Sequence, residues 1–188
     1  EESGLSEVAN PSALFLTHRD EAVAGAVVFP SLEGTRPVLV EVQALVSASS
    51  YGLPQRTANG LDYKRVQMLL AVLEKRLGYH VAVMDVFVNA VGGLRIDETA
   101  ADLGILASIA SSMLNRVLDP QTILLGEVGL SGELRSVSQI DSRLSEAEKM
   151  GFRRAVIPKG NQKGITRQNR ILISAVDSAE KALEVVLQ

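Results

Sequence analysis

The chain has 188 residues, 46% of them hydrophobic and 22% charged, with a formal net charge of −3, a balance that suits one globular domain with a sizeable core. It contains no cysteine and no tryptophan, and aromatics make up only 4%. Zinc ribbons, disulfides and thiol nucleophiles are thereby excluded within it, and an aromatic stacking platform for single-stranded nucleic acid is disfavoured.

Residues 1–20 are irregular in pattern, with Asn10-Pro11 as a candidate helix start. Ala22 to Leu32 reads as a strand ending in a turn at Glu33-Gly34, and Val38 to Val46 as a second strand that closes a hairpin with it. On that second strand Val40, Val42, Ala44 and Val46 share a wholly apolar face, while Glu41 and Gln43 share the other with Leu39 and Leu45. Ser47 to Gly60 is rich in Ser, Gly, Pro and Asn and reads as a loop. A helix begins at Asp62, carries Val66, Leu69, Leu70, Leu73 and Leu77 as one stripe, and stops at Gly78.

Val81 to Val88 is a buried strand leading to Gly92-Gly93, a tight turn or close backbone approach. Thr99 stands three residues before Asp102 and ahead of an apolar helix over 100–115, the spacing of a capping box with Thr99 at the N-cap. Few charges follow Asp102, so this helix is expected at the centre of the fold. Thr122 to Val128 is a further strand, and GEVGLSGELRSV (126–137) suggests a glycine-rich hairpin. Ser138 and Asp141 repeat the capping spacing before a helix of Ile140, Leu144, Ala147 and Met150 that Gly151 ends. Arg154 to Ile157 is a short strand closed by Pro158, Ile171 to Ile173 another, and Ala179 to Leu187 the last helix. Strands and helices alternate through the second half, so the fold class is α/β, or α+β with a mixed sheet. The hydrophobic pattern runs unbroken from about residue 20 to 187, and the domain boundaries follow: residues 1–20 an arm or linker, residues 21–188 one domain.

The charge is unevenly spread. Residues 1–50 hold seven acids against Arg19 and Arg36, whereas residues 151–170 hold Arg153, Arg154, Lys159, Lys163, Arg167 and Arg170 with no acid. Such a block can bind phosphates, although a solvated basic loop explains it more simply. No apolar run approaches the roughly 18 residues of a membrane helix, so no membrane partner is expected. No charged-then-apolar leader opens the chain, and its start at Glu1 reads as an interior cut.

Reactive motifs are scarce. G-x-x-x-x-G-K-[ST] is absent, and GNQKGIT (160–166) lacks its spacing. His18 and His80 stand alone, so no metal site is expected. A serine–lysine dyad needs a nucleophile at a junction that stabilises an oxyanion, with a desolvated lysine in reach. Ser108, Ser111 and Ser112 lie inside the central helix and read as packing or back-bonding hydroxyls. Capping explains Thr99 more simply than reactivity does.

The runs VGGLRIDETAADLGILASIASSMLN, GEVGLSGELRSV and RLSEAEKMGFRRAVIP resemble the C-terminal domain of the bacterial RadA (Sms) family of DNA-repair proteins. YGLPQRTANGLDYKRVQMLLAVLEKRLG and NPSALFL look like further signatures, and the match covers about Gly4 to Lys163. That domain is similar in turn to the proteolytic domain of Lon protease, which implies a ribosomal protein S5 domain 2-like fold. Aligned on Asp97, Lon's D-G-P-S-A-G pattern becomes DETAAD and the serine position falls on Ala100. Aligned on Gly126-Glu127, the lysine position of G-G-L-K-E-K falls on Asp141. The catalytic pair is thus degenerate, and two capped helix starts are expected in its place.

The resemblance implies a parent with an N-terminal zinc motif and a RecA-like ATPase. ATP, magnesium and zinc are then expected only in those other parts, with no cofactor in this domain. It also implies a cytoplasmic hexameric ring that processes recombination intermediates on DNA alongside RecA. The candidate DNA contacts are Arg56, Lys64 and Arg65, together with Arg153, Arg154, Lys159, Lys163, Arg167 and Arg170. The competing readings are an active Lon-type serine–lysine peptidase, which Ala100 and Asp141 oppose, and a pure oligomerisation module without DNA affinity.

Overall fold

A computed structural model describes Leu16 and residues 22–50, 52–166 and 170–187. Most of the expected arm at 1–20, His18 and Arg167 lie outside these residues. Nine strands are described: β1 (Ala26–Glu33), β2 (Arg36–Ala48), β3 (Arg56–Asn59), β4 (Met84–Ala90), β5 (Thr122–Leu124), β6 (Glu127–Val128), β7 (Leu134–Arg135), β8 (Arg154–Pro158) and β9 (Leu172–Val176). The helices are α1 (Tyr63–Arg76), α2 (Asp102–Leu114), α3 (Ile140–Lys149) and α4 (Ala179–Val186).

Seven strands form one mixed sheet in the order β3-β4-β2-β1-β5-β8-β9, and β6-β7 form a separate hairpin. β2 pairs antiparallel with both neighbours, while the other four pairings are parallel. Six strands therefore share one direction, and the β1–β2 hairpin supplies the single reversal. Its register sets Val27 opposite Val42 and Phe29 opposite Val40. α2 lies over that face, with Gly104 above Val27 and Phe29. From Asp102 to Ser111 every residue of α2 is buried, as its lack of later charges predicts. α1 covers α2 with Val66, Leu69, Leu70 and Leu73.

Helix ends follow local chemistry where tertiary partners leave them free. The Asp62 carboxylate accepts the Arg65 N–H at 2.7 Å and caps α1. Ser178 caps α4 by accepting the Lys181 N–H at 3.3 Å. Asn115 closes α2 in the left-handed conformation, φ 51°.

Three expectations change. The stretch 47–60 is not all loop: β2 runs on to Ala48, and Arg56–Asn59 is an edge strand beside β4. Its four residues carry no apolar alternation, and pairing alone defines it. The strand predicted over 122–128 breaks after Leu124, because the Gly126 N–H turns to the Ala100 carbonyl at 3.1 Å. The central helix is preceded by a separate 3-10 turn, Thr99–Ala101.

Gly92 and Gly93 both have positive φ, 83° and 72°, and no atom lies within 4 Å of a Cβ built on Gly93. The pair is a turn, not a close approach. Close approach occurs instead at Gly25, where a Cβ would meet the Ala44 carbonyl oxygen at 2.2 Å. Ser111 and Ser112 hold this region: their hydroxyls accept the Gly25 N–H at 2.8 Å and the Val46 N–H at 2.9 Å. They are thus long-range anchors rather than back-bonding hydroxyls. Ser108 does back-bond, to the Ile105 carbonyl at 2.8 Å.

Candidate functional site

The strands that share a direction end where α1, α2 and α3 begin, and Ala100 and Asp141, the two positions expected to replace a catalytic pair, lie at that end. Ala100 sits in the 3-10 turn, 4% exposed. The backbone around it is already paired: Gly126 donates to the Ala100 carbonyl, and Leu103 N–H donates to the Gly126 carbonyl at 3.1 Å. One donor that a helix start offers to an incoming anion is thereby closed by protein backbone. A methyl group at position 100 offers no atom for covalent chemistry.

Asp141 lies in the first turn of α3. Its carboxylate accepts the Thr166 N–H at 3.2 and 3.1 Å and also the Thr166 hydroxyl. It is tied to the segment after β8.

Neither helix start has the expected capping box. Glu98, not Thr99, is the N-cap of the 3-10 turn, and it makes no side-chain cap. The Thr99 hydroxyl donates instead to Glu127 Oε2 on β6 at 2.7 Å. Asp102 is turned inward and is fully buried. At α3 the N-cap is Gln139, in the left-handed conformation and without a side-chain bond. The Ser138 carbonyl accepts from Arg143 Nε at 2.9 Å. At α2 the box residues Thr99 and Asp102 turn to Glu127 and Arg65 on other elements, and at α3 Asp141 turns to Thr166.

Two buried ion pairs brace these helix starts. Arg65 Nε donates to Asp102 Oδ1 at 2.8 Å, Arg65 Nη2 donates to Oδ2, and the Val128 N–H reaches Oδ2 at 2.9 Å. Arg65 Nη2 also meets the Val128 carbonyl at 3.2 Å, so one guanidinium joins α1, α2 and β6. Burial pushes the Asp102 carboxyl above the usual carboxylate range, against the opposing bonds from Arg65 and Val128. The bond to Asp102 in turn raises Arg65 above the ordinary arginine value. The second pair is bidentate: Arg143 Nη1 and Nη2 donate to Glu98 Oε1 and Oε2 at 3.0 and 2.6 Å. Arg143 Nη1 also meets the Pro30 carbonyl at 2.5 Å, and Glu98 accepts the Leu32 N–H at 2.8 Å. The start of α3, the loop before α2 and the end of β1 are thereby locked together.

Sequence reasoning missed both pairs. One signal was available: Asp102 adjoins a run from Leu103 to Leu114 with no charge, so an acid there is headed for burial with a partner. Nothing in the sequence marks Arg65 or Arg143 as that kind of partner.

The DNA-contact candidates are dispersed. Arg65 is held by Asp102. Arg56 donates to the carbonyls of Gln55, Met84, Val81 and Ala82, where it closes the turn before β4. Lys64 is exposed in the first turn of α1. The basic block at 151–170 divides between the two ends of β8. Arg153 and Arg154 stand at its start, and Arg170 joins them, because Arg154 is paired with Leu172 of β9. Lys159 and Lys163 lie past its far end, on a 3-10 segment Lys159–Gly164. All five are exposed. Arg154 Nε lies 3.7 Å from Asp119, and the Arg170 N–H donates to Glu148 at 3.3 Å, so the arginine end is mixed in charge. Asn161 fixes the lysine end. Its amide accepts from the Val137 N–H at 2.9 Å and donates to the Val137 carbonyl at 2.8 Å.

Among the described residues no group of three or more His, Asp or Glu could hold a metal, and no helix is long and apolar enough to cross a membrane.

The chain is similar in sequence to known proteins. A family model described as "Subunit ChlI of Mg-chelatase" matches residues 40–161. The chain is 52% identical over 186 residues to the DNA repair protein RadA of Halalkalibacterium halodurans, covering 99% of this chain and 41% of that protein. It is 46% identical over 186 residues to RadA of Bacillus subtilis, with 99% and 41% covered. To RadA of Pseudomonas aeruginosa it is 47% identical over 187 residues, with 100% and 41% covered. The chain spans about two fifths of the length of these relatives.

Proposed function

The chain belongs to the family described as subunit ChlI of Mg-chelatase and corresponds to a segment of RadA-type DNA repair proteins, and on that footing we propose that it is their non-proteolytic, Lon-like scaffold domain. In this reading it supports a homo-oligomeric ring, of hexameric form by the resemblance, and contacts DNA. A RecA-like ATPase elsewhere in the cytoplasmic parent drives the processing of recombination intermediates alongside RecA. ATP with magnesium, and zinc, belong to those other parts.

One observation carries the non-proteolytic reading. Position 100 is a buried methyl group whose neighbouring helix-start N–H is closed by the Gly126 carbonyl. Incubation with unfolded casein tests it: no cleavage is expected, and cleavage that survives repurification overturns it. Salt-sensitive, weakly sequence-specific binding is expected from exposed lysines and arginines in a chain with few aromatics. Anisotropy with labelled single-stranded DNA at low and moderate salt measures this, and no binding at low salt removes the DNA role.

Ring assembly draws support from the sheet face opposite α2. There Leu45, Phe87 and Thr57 form one row, and Gln43, Asn89 and Asn59 the next. Leu45 is 62% exposed. The same face favours the second reading, an oligomerisation module without DNA affinity. Sedimentation combined with the anisotropy titration separates the two, since that module would assemble without binding DNA.

A further inference from the structure

We propose that Asp141 is a positioning residue: it fixes the Lys159–Thr166 turn so that Lys159 and Lys163 meet a nucleic-acid phosphate backbone together. The inference rests on the DNA-contacting reading above and names which cations of that reading act together.

The turn leaves β8 at Pro158 and is tied at two points to the start of α3. Asn161, buried, bonds both backbone groups of Val137, three residues before the helix. Thr166 closes the far end, giving its N–H to both Asp141 oxygens at 3.2 and 3.1 Å and its hydroxyl to Oδ2. α3 is itself immobilised by the buried Arg143, bonded to Glu98, Pro30 and Ser138. The turn is thus clamped to a rigid support rather than left as a solvated loop.

Lys163 lies between the two clamps and Lys159 two residues before the first; they are the only charged residues from 159 to 166, and both are exposed. Four residues of 3-10 helix rise about 8 Å, so the two cations stand close together on one short rigid segment.

A carboxylate beside such a turn opposes DNA by charge alone, and this gives the test its sign. If Asp141 is only a nearby negative charge, Asp141→Ala tightens DNA binding. If it positions the turn, Asp141→Ala weakens binding although a negative charge is lost. The probe is a labelled mixed-sequence single-stranded oligonucleotide at low salt, titrated with the 188-residue chain and read by anisotropy. A second readout is the rate of trypsin cleavage after Lys163.

The expected weakening for Asp141→Ala is about fivefold, the scale of one lost hydrogen bond, with faster cleavage after Lys163. Asp141→Asn keeps an acceptor for the Thr166 N–H, and it should bind at least as tightly as the unaltered chain and resist cleavage. Lys159→Ala with Lys163→Ala should weaken binding and lower the salt slope by about 1.4, some 0.7 for each contact with a single strand. Tighter or unchanged binding by Asp141→Ala overturns the inference. If the unaltered chain binds and the double lysine variant binds equally well, DNA is contacted elsewhere, so the inference falls while the DNA reading stands. If the unaltered chain does not bind, the DNA reading falls and takes the phosphate role of this turn with it.

Discussion

Arg65→Ala separates a structural arginine from a DNA-contacting one. The substitution leaves Asp102, fully buried, with the Val128 N–H at 2.9 Å but without either guanidinium bond. Breaking a buried pair from one side costs about 3–5 kcal/mol. The Arg65 side chain is 26% exposed, so water partly replaces it, and the lower end, about 3 kcal/mol, is expected. For a domain of this size that is a fall in Tm of roughly 6–12 °C. Urea unfolding with an unchanged slope measures it. The pH dependence supplies a second check. Burial already raises the Asp102 carboxyl above its unfolded value, and losing Arg65 raises it further. A folded acid with a raised pKa binds its proton more tightly than the unfolded chain does. Its favourable contribution is complete below the unfolded pKa, about 3.9, and is lost as pH rises through the folded pKa. The penalty of Arg65→Ala should therefore be largest near neutrality and shrink toward pH 4. Asp102→Asn added to Arg65→Ala should recover part of the loss at neutral pH. A penalty below about 1 kcal/mol with no such pH trend would refute the assignment of Arg65 to the core and return it to the DNA candidates.

Placing a serine and a lysine at the two aligned positions, Ala100→Ser with Asp141→Lys, should not create a peptidase, because the Gly126 carbonyl still closes Leu103 N–H; release of fluorescent casein fragments would contradict this. Glu98→Ala strands the buried Arg143 guanidinium and should cost about 3 kcal/mol in chemical denaturation. Glu133 is held down at about 2, first by the Ser131 hydroxyl and further by its own backbone N–H and Arg135. Its lowered pKa makes a favourable contribution above the unfolded value, lost as pH falls from there toward 2, and carboxyl-carbon NMR titration should place its midpoint near 2.

Local patterns carried the regular elements. The β-branched run from Val38 to Val46, with its wholly apolar face, and the stripe from Val66 to Leu77 gave β2 and α1 nearly to their ends, because a buried apolar face writes itself into the sequence period. β3 left no such mark, being an edge strand with only Ala58 apolar. The two capping boxes failed for a different reason. Thr99 and Asp102 have the right spacing, but Glu127 and Arg65, 28 and 37 residues away along the chain, bind them more strongly than the helix end does. Arg143 and Glu98 are likewise 45 residues apart, and no local pattern announces that pairing. Ala100 and Asp141 were located through a family pattern. Their surroundings, a backbone seal on one and Thr166 on the other, emerge only from the fold.

Strand direction also decides how the basic block acts. Six cations within residues 153–170 look like one patch in sequence. β8 carries the chain from Arg154 to Pro158, so the Arg153 and Lys159 ends are separated by roughly 20 Å of extended chain. That is more than two Debye lengths at physiological salt, about 8 Å each. The two ends therefore behave as separate electrostatic sites. Acids offset both ends: Asp119 and Glu148 at the arginine end, and Asp141, bonded to Thr166, and Asp177, which interacts with Lys159, at the lysine end. A single bound strand should consequently show a salt slope set by two or three cations, not six. A slope of about −1.4 to −2.1 fits two or three contacts, and one near −4 would require DNA to engage both ends of β8 at once.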